Sequence, residues 1–236
     1  TASQQVPRIL ALRAGIDLKK GDILKTPKEK FLTHADSLGE DLKAALETLI
    51  KHMGVVDQSY IPAKDAISLI GAVHSDQWEK QKDMVIAFLW AICLTVDWDS
   101  STNEKVKQKH LQLKELLSGS LDASLLIKEI EDEFPTFEEL RDSTTKSAIK
   151  FRTFMTFNLA RGGNDWLSKP RTTSQPMEDH HIFPKDWITN NRVPSEDKAT
   201  WNALRDSVLN RIFVSKEANL DAVSYTHLRA HETVLD

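Results

Sequence analysis

The stretch MEDHHIFPKDW at residues 177–187 places two histidines, His180 and His181, side by side. Successive side chains of a β-strand point to opposite faces of the sheet. If this stretch forms a strand, the two imidazoles therefore face different surroundings and can have separate tasks. The sequence predicts a short strand here, followed by a turn at Pro184.

Two adjacent histidines fit the chemistry of metal-assisted phosphodiester hydrolysis. One histidine holds a divalent cation, which neutralises the charge that develops on the phosphate and on the leaving oxygen. Its neighbour takes a proton from the attacking water, a task that suits imidazole because its pKa is near neutrality. The alternative is that both histidines are ordinary surface residues.

The composition is that of a soluble globular protein. The chain has 236 residues, of which 40% are hydrophobic and 28% are charged. Its single cysteine, Cys93, excludes an internal disulfide framework and a cysteine-rich zinc site, and it is typical of a reducing compartment. No signal peptide is recognisable in the first residues, and because residue 1 is not Met we expect the chain to start inside a longer protein.

The apolar run MVIAFLWAICL at 84–94 is shorter than the roughly twenty residues of a membrane span. It predicts a buried core helix, and no membrane is expected among the partners.

The charge is unevenly distributed along the chain. The net charge is −4, but residues 145–216 contain twelve Lys or Arg and seven Asp or Glu, a net charge of +5 that leaves −9 for the remainder. A positive surface around the histidine pair is suited to contact phosphates. Ordinary fluctuation of charge along the chain is an equally good interpretation.

Most of residues 1–160 shows the helical period. Leu42, Leu46 and Leu49, together with Ile50 and Met53, fall on one face of a predicted helix, and Gly54 follows as a stop signal. Further helical patterns occupy 61–74, 76–95, 103–119, 136–143 and 144–163, and Pro62 suits the first turn of the first of these. These patterns predict an all-α region of about six to eight helices.

The composition changes after this region. Residues 164–176, NDWLSKPRTTSQP, contain two prolines and a Ser/Thr cluster and are predicted to be a linker. The predicted organisation is therefore a helical domain at 1–163, the linker at 164–176 and a small module at 177–222. The last residues, VSYTHLRAHETVLD at 223–236, resemble a translated sequencing adapter and are excluded from the predicted fold as an artefact.

The residues HHIFPK at 180–185, followed by Asn210 and nine residues later by Asn219, resemble the HNH nuclease motif in its ββα-metal fold. More narrowly, they resemble the C-terminal HNH domain of GmrSD-type restriction enzymes, which target modified DNA. The resemblance covers roughly residues 145–222. It implies a mainly α chain in which a multi-helix domain is followed by a small ββα-metal nuclease module.

In those enzymes the HNH domain follows a helical region and an N-terminal ParB-like nucleotide-hydrolysing domain. The resemblance therefore implies that this chain is a C-terminal fragment of a phage-defence enzyme of the bacterial or archaeal cytoplasm. The module is expected to be cut short soon after Asn219, where the adapter-like tail begins. Since the nucleotide-hydrolysing domain is not recognisable here, we do not expect this chain alone to show nucleotide-driven restriction.

The resemblance also implies roles for four residues. His180 takes the place of the first metal ligand and Asn219 that of the second, on the helix. His181 takes the place of the general base. Asn210 matches the central asparagine, which holds the loop and helps to orient the base through a hydrogen bond. An imidazole with an amide oxygen makes a sparse site with room for water and phosphate oxygens, which suits Mg²⁺ or Mn²⁺.

Two neighbouring residues have weaker expected roles. Lys185 is placed to contact a phosphate, and Asp179 to support the site from behind the histidines. Each position also has an ordinary structural interpretation. Asn210 is suited to a turn, Asn219 to a helix end, and Lys185 and Asp179 to a solvated surface.

The expected function is that of a metal-dependent HNH endonuclease, a hydrolase that cleaves DNA phosphodiester bonds as part of a restriction system against phage or modified DNA. One alternative is a helical module that binds DNA or protein and carries an inactive HNH remnant. Another is an HNH nuclease that acts on RNA, since the chemistry of the phosphodiester bond is the same.

Overall fold

The computed structural model of the protein describes residues 2–95, 102–189 and 198–222, so the predicted adapter-like segment lies outside the described residues. The described residues form mainly α-helices with one two-stranded sheet, which confirms the expected mainly α chain. They contain no helix long and apolar enough to cross a membrane. The chain divides into two compact units, one formed by Thr1–Met53 with Ile61–Pro135 and the other by Gly54–Tyr60 with the residues from Thr136 onward.

The first unit is built of helices. They are α1 (Ala2–Arg13), α2 (Lys20–Lys25), α3 (Lys28–Leu32), α4 (Leu38–His52), α5 (Asp65–Gly71), α6 (Ser75–Trp78), α7 (Lys82–Leu94), α8 (Asn103–Leu117) and α9 (Ser124–Glu133). In α4, Ala45 and Leu49 are buried, as the helical period predicts, and the helix ends just before Gly54. Pro62 does not lie in the first turn of a helix but precedes α5 by three residues.

The predicted buried helix at 76–95 is shorter than expected. Helix α7 begins at Lys82, after the separate short helix α6 and a 3₁₀ turn at Glu79–Gln81. Within α7, Val85, Phe88 and Leu89 are fully buried. The residues between Trp78 and Met84 are all polar and offer no apolar face for packing, which accounts for the later start of the buried helix.

The second unit contains α10 (Phe137–Arg141), α11 (Ile149–Ala160), β1 (Met177–His181), α12 (Lys185–Thr189), α13 (Lys198–Arg205) and β2 (Arg211–Ser215). A capping box starts α10, because the Thr136 side chain accepts from the Glu139 amide and the Glu139 carboxylate accepts from the Thr136 amide. A 3₁₀ turn at Val208–Asn210 leads into β2, and residues 216–222, which come directly after β2, are helical.

The core of this unit joins α11 to the sheet. Phe151, Met155 and Leu159 recur at helical spacing on α11 and are buried against Phe213 of β2. Tyr60 completes the cluster, and its ring meets that of Phe213 edge-on at 4.7 Å. Because the apolar face of α11 packs against β2, this helix lies in the same unit as the strands. The division between the two units therefore differs from the predicted domain boundary at 163/164.

The segment at 164–176 is anchored to its own unit, although its composition predicts a linker. Asp165 accepts a hydrogen bond from Ser215 Oγ at 2.6 Å and from the amides of Leu167 and Lys169. Arg171 donates to Asn158 Oδ1 of α11 at 2.6 Å. These hydrogen bonds hold the segment against β2 and α11, and they pair backbone and side-chain donors that would otherwise lack a partner.

The sheet consists of β1 and β2 in antiparallel pairing. In its register Met177 lies opposite Ser215, Asp179 opposite Phe213, His180 opposite Ile212, and His181 opposite Arg211. This register fixes which side chains share a face with each histidine.

Gly54 provides a test of the packing on α11. Its φ is 65°, and a β-carbon there would lie 2.3 Å from the carbonyl oxygen of Thr156 and 2.9 Å from the amide nitrogen of Ala160. The left-handed backbone alone costs an L-residue about 1–2 kcal/mol, and the collision adds about 1–3 kcal/mol. We therefore expect Gly54→Ala to lower the free energy of unfolding by about 3 kcal/mol in a urea titration followed by circular dichroism.

Gly162→Ala is the matched control, since Gly162 belongs to the same unit, has a φ of 74° and has no atom within 4 Å of an added β-carbon. Its expected loss is about 1–2 kcal/mol from the backbone alone. Equal losses for the two variants would show that the close approach of Gly54 to α11 does not exist in solution.

Candidate active site

The histidine pair lies at the end of β1, and its two members belong to different faces of the sheet. Glu178 and His180 share one face because they are two residues apart on the strand. Asp179 and His181 share the other. The strand therefore directs the two imidazoles to opposite faces, as the sequence predicts.

On the first face, His180 meets Asn219 from the helical segment 216–222. The Nδ1 atom of His180 lies 2.5 Å from Oδ1 of Asn219, although 39 residues separate them in sequence. The amide nitrogen of Asn219 donates in turn to the Glu178 carboxylate. The structure therefore brings together the two residues that the resemblance marks as metal ligands, and it adds a carboxylate to them.

The junction between β2 and the helical segment sets the position of Asn219. Ser215 ends β2, and its Oγ accepts a hydrogen bond from the Ala218 amide at 3.2 Å, the contact of an N-cap residue. The same Oγ donates to the carboxylate of Asp165. Because the helix begins directly at the end of the strand, Asn219 falls within its first turns and faces back toward β1.

Trp166 supports the same face. Its indole Nε1 donates to the carbonyl oxygen of Ala218 at 3.1 Å, and its ring meets the His180 ring edge-on with a centroid distance of 5.1 Å. The indole therefore links the segment at 164–176, the helical segment and the histidine.

On the second face, His181 lies beside cationic groups. Nη1 of Arg211 lies 2.7 Å from its Nδ1 and 2.5 Å from its Nε2, and Asp206 Oδ1 lies 3.9 Å from Nε2. Burial, and then the charges of Arg211 and Lys185, lower the pKa of His181 from 6.5 to about 4. The imidazole is consequently neutral at pH 7, and its unprotonated nitrogen accepts a hydrogen bond from Arg211.

Arg211 is held in place by Asp179. Its Nη2 donates to Asp179 Oδ2 at 2.8 Å and its Nε lies 2.7 Å from Oδ1, so the guanidinium faces the carboxylate with two nitrogens. Tyr60 and Lys146 also donate to Asp179, each at 2.8 Å. Burial alone would raise the pKa of Asp179, but the bonds from Lys146 and Tyr60 and the charge of Arg211 outweigh it and hold that pKa below its usual value.

Asn210 is 4% exposed and ties down the chain that leaves β1. Its Oδ1 accepts from the Phe183 amide at 2.8 Å, while its Nδ2 donates to the carbonyls of Phe183 and Arg205. Its own carbonyl accepts from the Ile182 amide. The loop therefore depends on Asn210, but within the described part of the chain these side-chain bonds go to backbone atoms and do not include the expected one to His181.

Lys185 begins α12 and forms an ion pair with Asp206, which also lies 3.0 Å from Nε of Arg205. Half of its side chain is exposed. The ammonium group thus lies on the same side as His181, where it lowers the pKa of that histidine.

Sequence reasoning missed three residues of this site. Glu178 lies within MEDHHIFPKDW, and its spacing of two from His180 was the signal that could have revealed it. Arg211 and Asp206 carried no comparable signal, because they reach His181 through strand register and a turn.

The donor set on the first face fits a divalent cation. It combines an imidazole nitrogen, an amide oxygen and a carboxylate oxygen, which Mn²⁺ accepts readily and Mg²⁺ accepts with added water. Among the residues that the structure describes, no group of three or more His, Cys, Asp and Glu side chains is arranged to hold a metal ion. Glu178 and His180 supply two such side chains, and the third donor is the asparagine amide.

Comparison of the chain with protein-family models, with curated proteins and with solved structures gives no match. The residues of the site and their geometry are therefore the basis on which a function can be assigned.

The titration of His181 tests its environment. With a pKa of about 4 against 6.5, the folded metal-free protein binds fewer protons than the unfolded chain between these values. The His181 contribution to stability is thus complete above pH 6.5 and is lost as the pH falls toward 4. We expect its ring carbon–proton signal in a two-dimensional NMR titration to move near pH 4.

Lys185→Met removes one of the cationic groups beside His181 and should raise the pKa of that histidine, with the fold unchanged. If the signal of His181 moves near pH 6.5 in the unmodified protein, the imidazole is solvated and the contact with Arg211 is absent.

Proposed function

We propose that this protein is a metal-dependent endonuclease that hydrolyses DNA phosphodiester bonds through an HNH module formed by β1, β2 and the helical segment 216–222. The observation that carries the proposal is the approach of His180 Nδ1 to Asn219 Oδ1 at 2.5 Å, with His181 at the next strand position. A histidine suited to hold a cation, followed directly by a histidine that can take a proton from water, supplies the two groups that metal-assisted hydrolysis of a phosphodiester needs.

The residues on the two faces of β1 have different proposed roles. His180, Asn219 and Glu178 would hold the cation, which supplies Lewis-acid stabilisation of the phosphate and of the leaving oxygen. His181, at the next strand position, would accept the proton of the attacking water as the general base. Asn210 fixes the loop after β1 through its bonds to Phe183.

The cations on the His181 face would bind the phosphates. Lys185 and Arg205 both pair with Asp206, so their side chains are already directed to one place. Arg211 is oriented by Asp179 and carries its remaining donor toward His181. Positive groups gathered at one point attract a polyanion and also keep His181 neutral.

The narrower proposal is that the chain is the effector part of a GmrSD-like restriction enzyme directed against phage or modified DNA. It is supported by the motif HHIFPK with Asn210 and Asn219 and by the helices that precede it. Its nucleotide-hydrolysing partner domain would lie elsewhere in the full protein.

Replacing the base tests the hydrolytic role. We expect His181→Ala to reduce the nicking of supercoiled plasmid by about 10²–10⁴-fold in Mg²⁺ or Mn²⁺, the usual contribution of a general base, without a change in circular dichroism. His52→Ala is the control, because His52 is exposed on α4 in the first unit.

Cleavage by the unmodified chain should also cease in excess chelator. If His181→Ala cuts at the rate of the control, His181 is not the base. DNA binding without cleavage in either metal would favour the alternative of a binding module with an inactive HNH remnant.

A second test measures metal binding apart from activity. Calorimetric titration with Mn²⁺ should give an affinity that falls at least about ten-fold in Asn219→Ala, which removes an oxygen donor, and in Glu178→Gln, which removes the negative charge. Glu217→Gln is the matched control, since Glu217 is exposed on the same helical segment and pairs with Lys169 instead. Unchanged affinity in Asn219→Ala would place the metal elsewhere.

A further inference from the structure

Most of the exposed large hydrophobic side chains in the described part of the second unit belong to residues that are next to the candidate site in the sequence or contact it. In the described part of this unit, the exposed large hydrophobic residues are Phe137, Trp166, Leu167, Ile182, Phe183 and Leu220. All of them except Phe137 contact a residue of the candidate site or neighbour one in sequence. We call the five residues Trp166, Leu167, Ile182, Phe183 and Leu220 the apolar rim. Apolar surface gathered at one exposed place marks a binding site more often than chance.

Trp166 is held rigidly although its side chain is substantially exposed. Its relative exposure is 45%, yet its Nε1 is bonded to the Ala218 carbonyl and its ring rests edge-on against His180. A ring fixed on two sides loses little conformational entropy when a ligand stacks on it. The indole is therefore a preformed platform next to the proposed metal site.

Ile182 and Phe183 are the next two residues after His181, and they are 50% and 46% exposed. Asn210 forms hydrogen bonds to the backbone of both residues, and these bonds fix the position of the chain directly after β1. Phe183 also meets the Trp201 ring edge-on at 5.2 Å. The rim thus has rigid apolar members on both sides of the histidine pair.

The rim residues Ile182 and Phe183 directly follow His181, and cationic groups surround that histidine, which limits what can occupy the rim. Lys185, Arg205 and Arg211 attract phosphates next to His181. A ligand that puts a phosphate there and an apolar surface on the rim is a nucleotide chain whose bases lie against aromatic rings. In a regular duplex the faces of the bases are covered by their neighbours, so only unstacked bases can make this contact.

We propose that the site binds its nucleic-acid substrate with the bases beside the scissile phosphate unstacked, and that Trp166 stacks on one of them. Single strands, or duplexes that are locally opened, are then the preferred substrates. This inference rests on the proposed phosphodiester hydrolysis for the position of the phosphate, and it adds the conformation of the substrate.

The experiment compares binding of a fluorescein-labelled DNA strand of about twelve nucleotides, long enough to span one such site, with binding of the blunt duplex of the same sequence. The readout is fluorescence anisotropy of the full chain in Ca²⁺. We expect the single strand to bind at least about ten-fold more tightly, and Trp166→Ala to lose about ten-fold of the single-strand affinity, as is usual when a stacking ring is removed. The same variant should change duplex affinity little.

Two further variants separate stacking from a structural role. Trp166→Phe loses the bond to Ala218 but keeps a ring, so it should bind the single strand almost as well as the unmodified chain does. Phe137→Ala removes a comparably exposed ring, which is 60% exposed on α10, and should have no effect. Equal affinities for strand and duplex, or equal losses in Trp166→Phe and Trp166→Ala, would overturn the inference.

A cleavage assay in Mn²⁺ on the labelled single strand and on the duplex of the same sequence keeps the two proposals distinguishable. A chain that binds single strands through Trp166 but cleaves neither form of DNA refutes the hydrolytic function and leaves the stacking intact. If the unmodified chain cleaves strand and duplex equally well, and Trp166→Ala cleaves both at the same rates, the stacking alone is refuted.

Discussion

The antiparallel pairing of β1 with β2 is the constraint on which the candidate site depends. Its register places Arg211 opposite His181 and ends β2 at Ser215, so that the helical segment 216–222 begins beside the first residues of β1. A slip of one residue would turn every side chain of a strand to the other face. His180 would then lose Asn219, and His181 would lose its cationic surroundings.

The packing of β2 on α11 opposes any shift of that register. Phe213 is 1% exposed and lies against α11 and Tyr60, so a shifted β2 would bring a different residue into this core. Asp165 reinforces the same end of the strand through its bonds to Ser215. A two-stranded sheet is marginally stable by itself, and here a helix and an anchored segment supply the stability that it lacks.

The two faces of β1 create two different electrostatic environments within one residue of each other. The face of His180 joins an imidazole, an amide and a carboxylate through hydrogen bonds, the donor set of the proposed cation site. The face of His181 is partly buried and gathers guanidinium and ammonium groups, and burial and these charges together lower the pKa of the imidazole. Asp179 limits the repulsion on the second face, because its buried carboxylate holds Arg211, Tyr60 and Lys146 together.

The sequence by itself determined the local features. The period of three to four in 38–53 predicted α4, because one apolar stripe is enough to define a helix that packs on a core. The adjacent histidines, Pro184 and the pair Asn210 and Asn219 marked the strand and the residues around it, since alternation along a strand is a local property. The prediction of a mainly α chain rests on the same local periods, whereas the second strand was predicted from the resemblance to the HNH motif.

Only the tertiary structure decided which distant residues meet. Arg211 reaches His181 by strand register, Trp166 reaches His180 across a segment that composition alone made a linker, and Tyr60 joins Asp179 over 119 residues. The division into units was decided in the same way, because the partner of α11 is a strand about fifty residues later in the chain. Such contacts depend on which elements pack together, and the period of an apolar face shows that an element packs without identifying its partner.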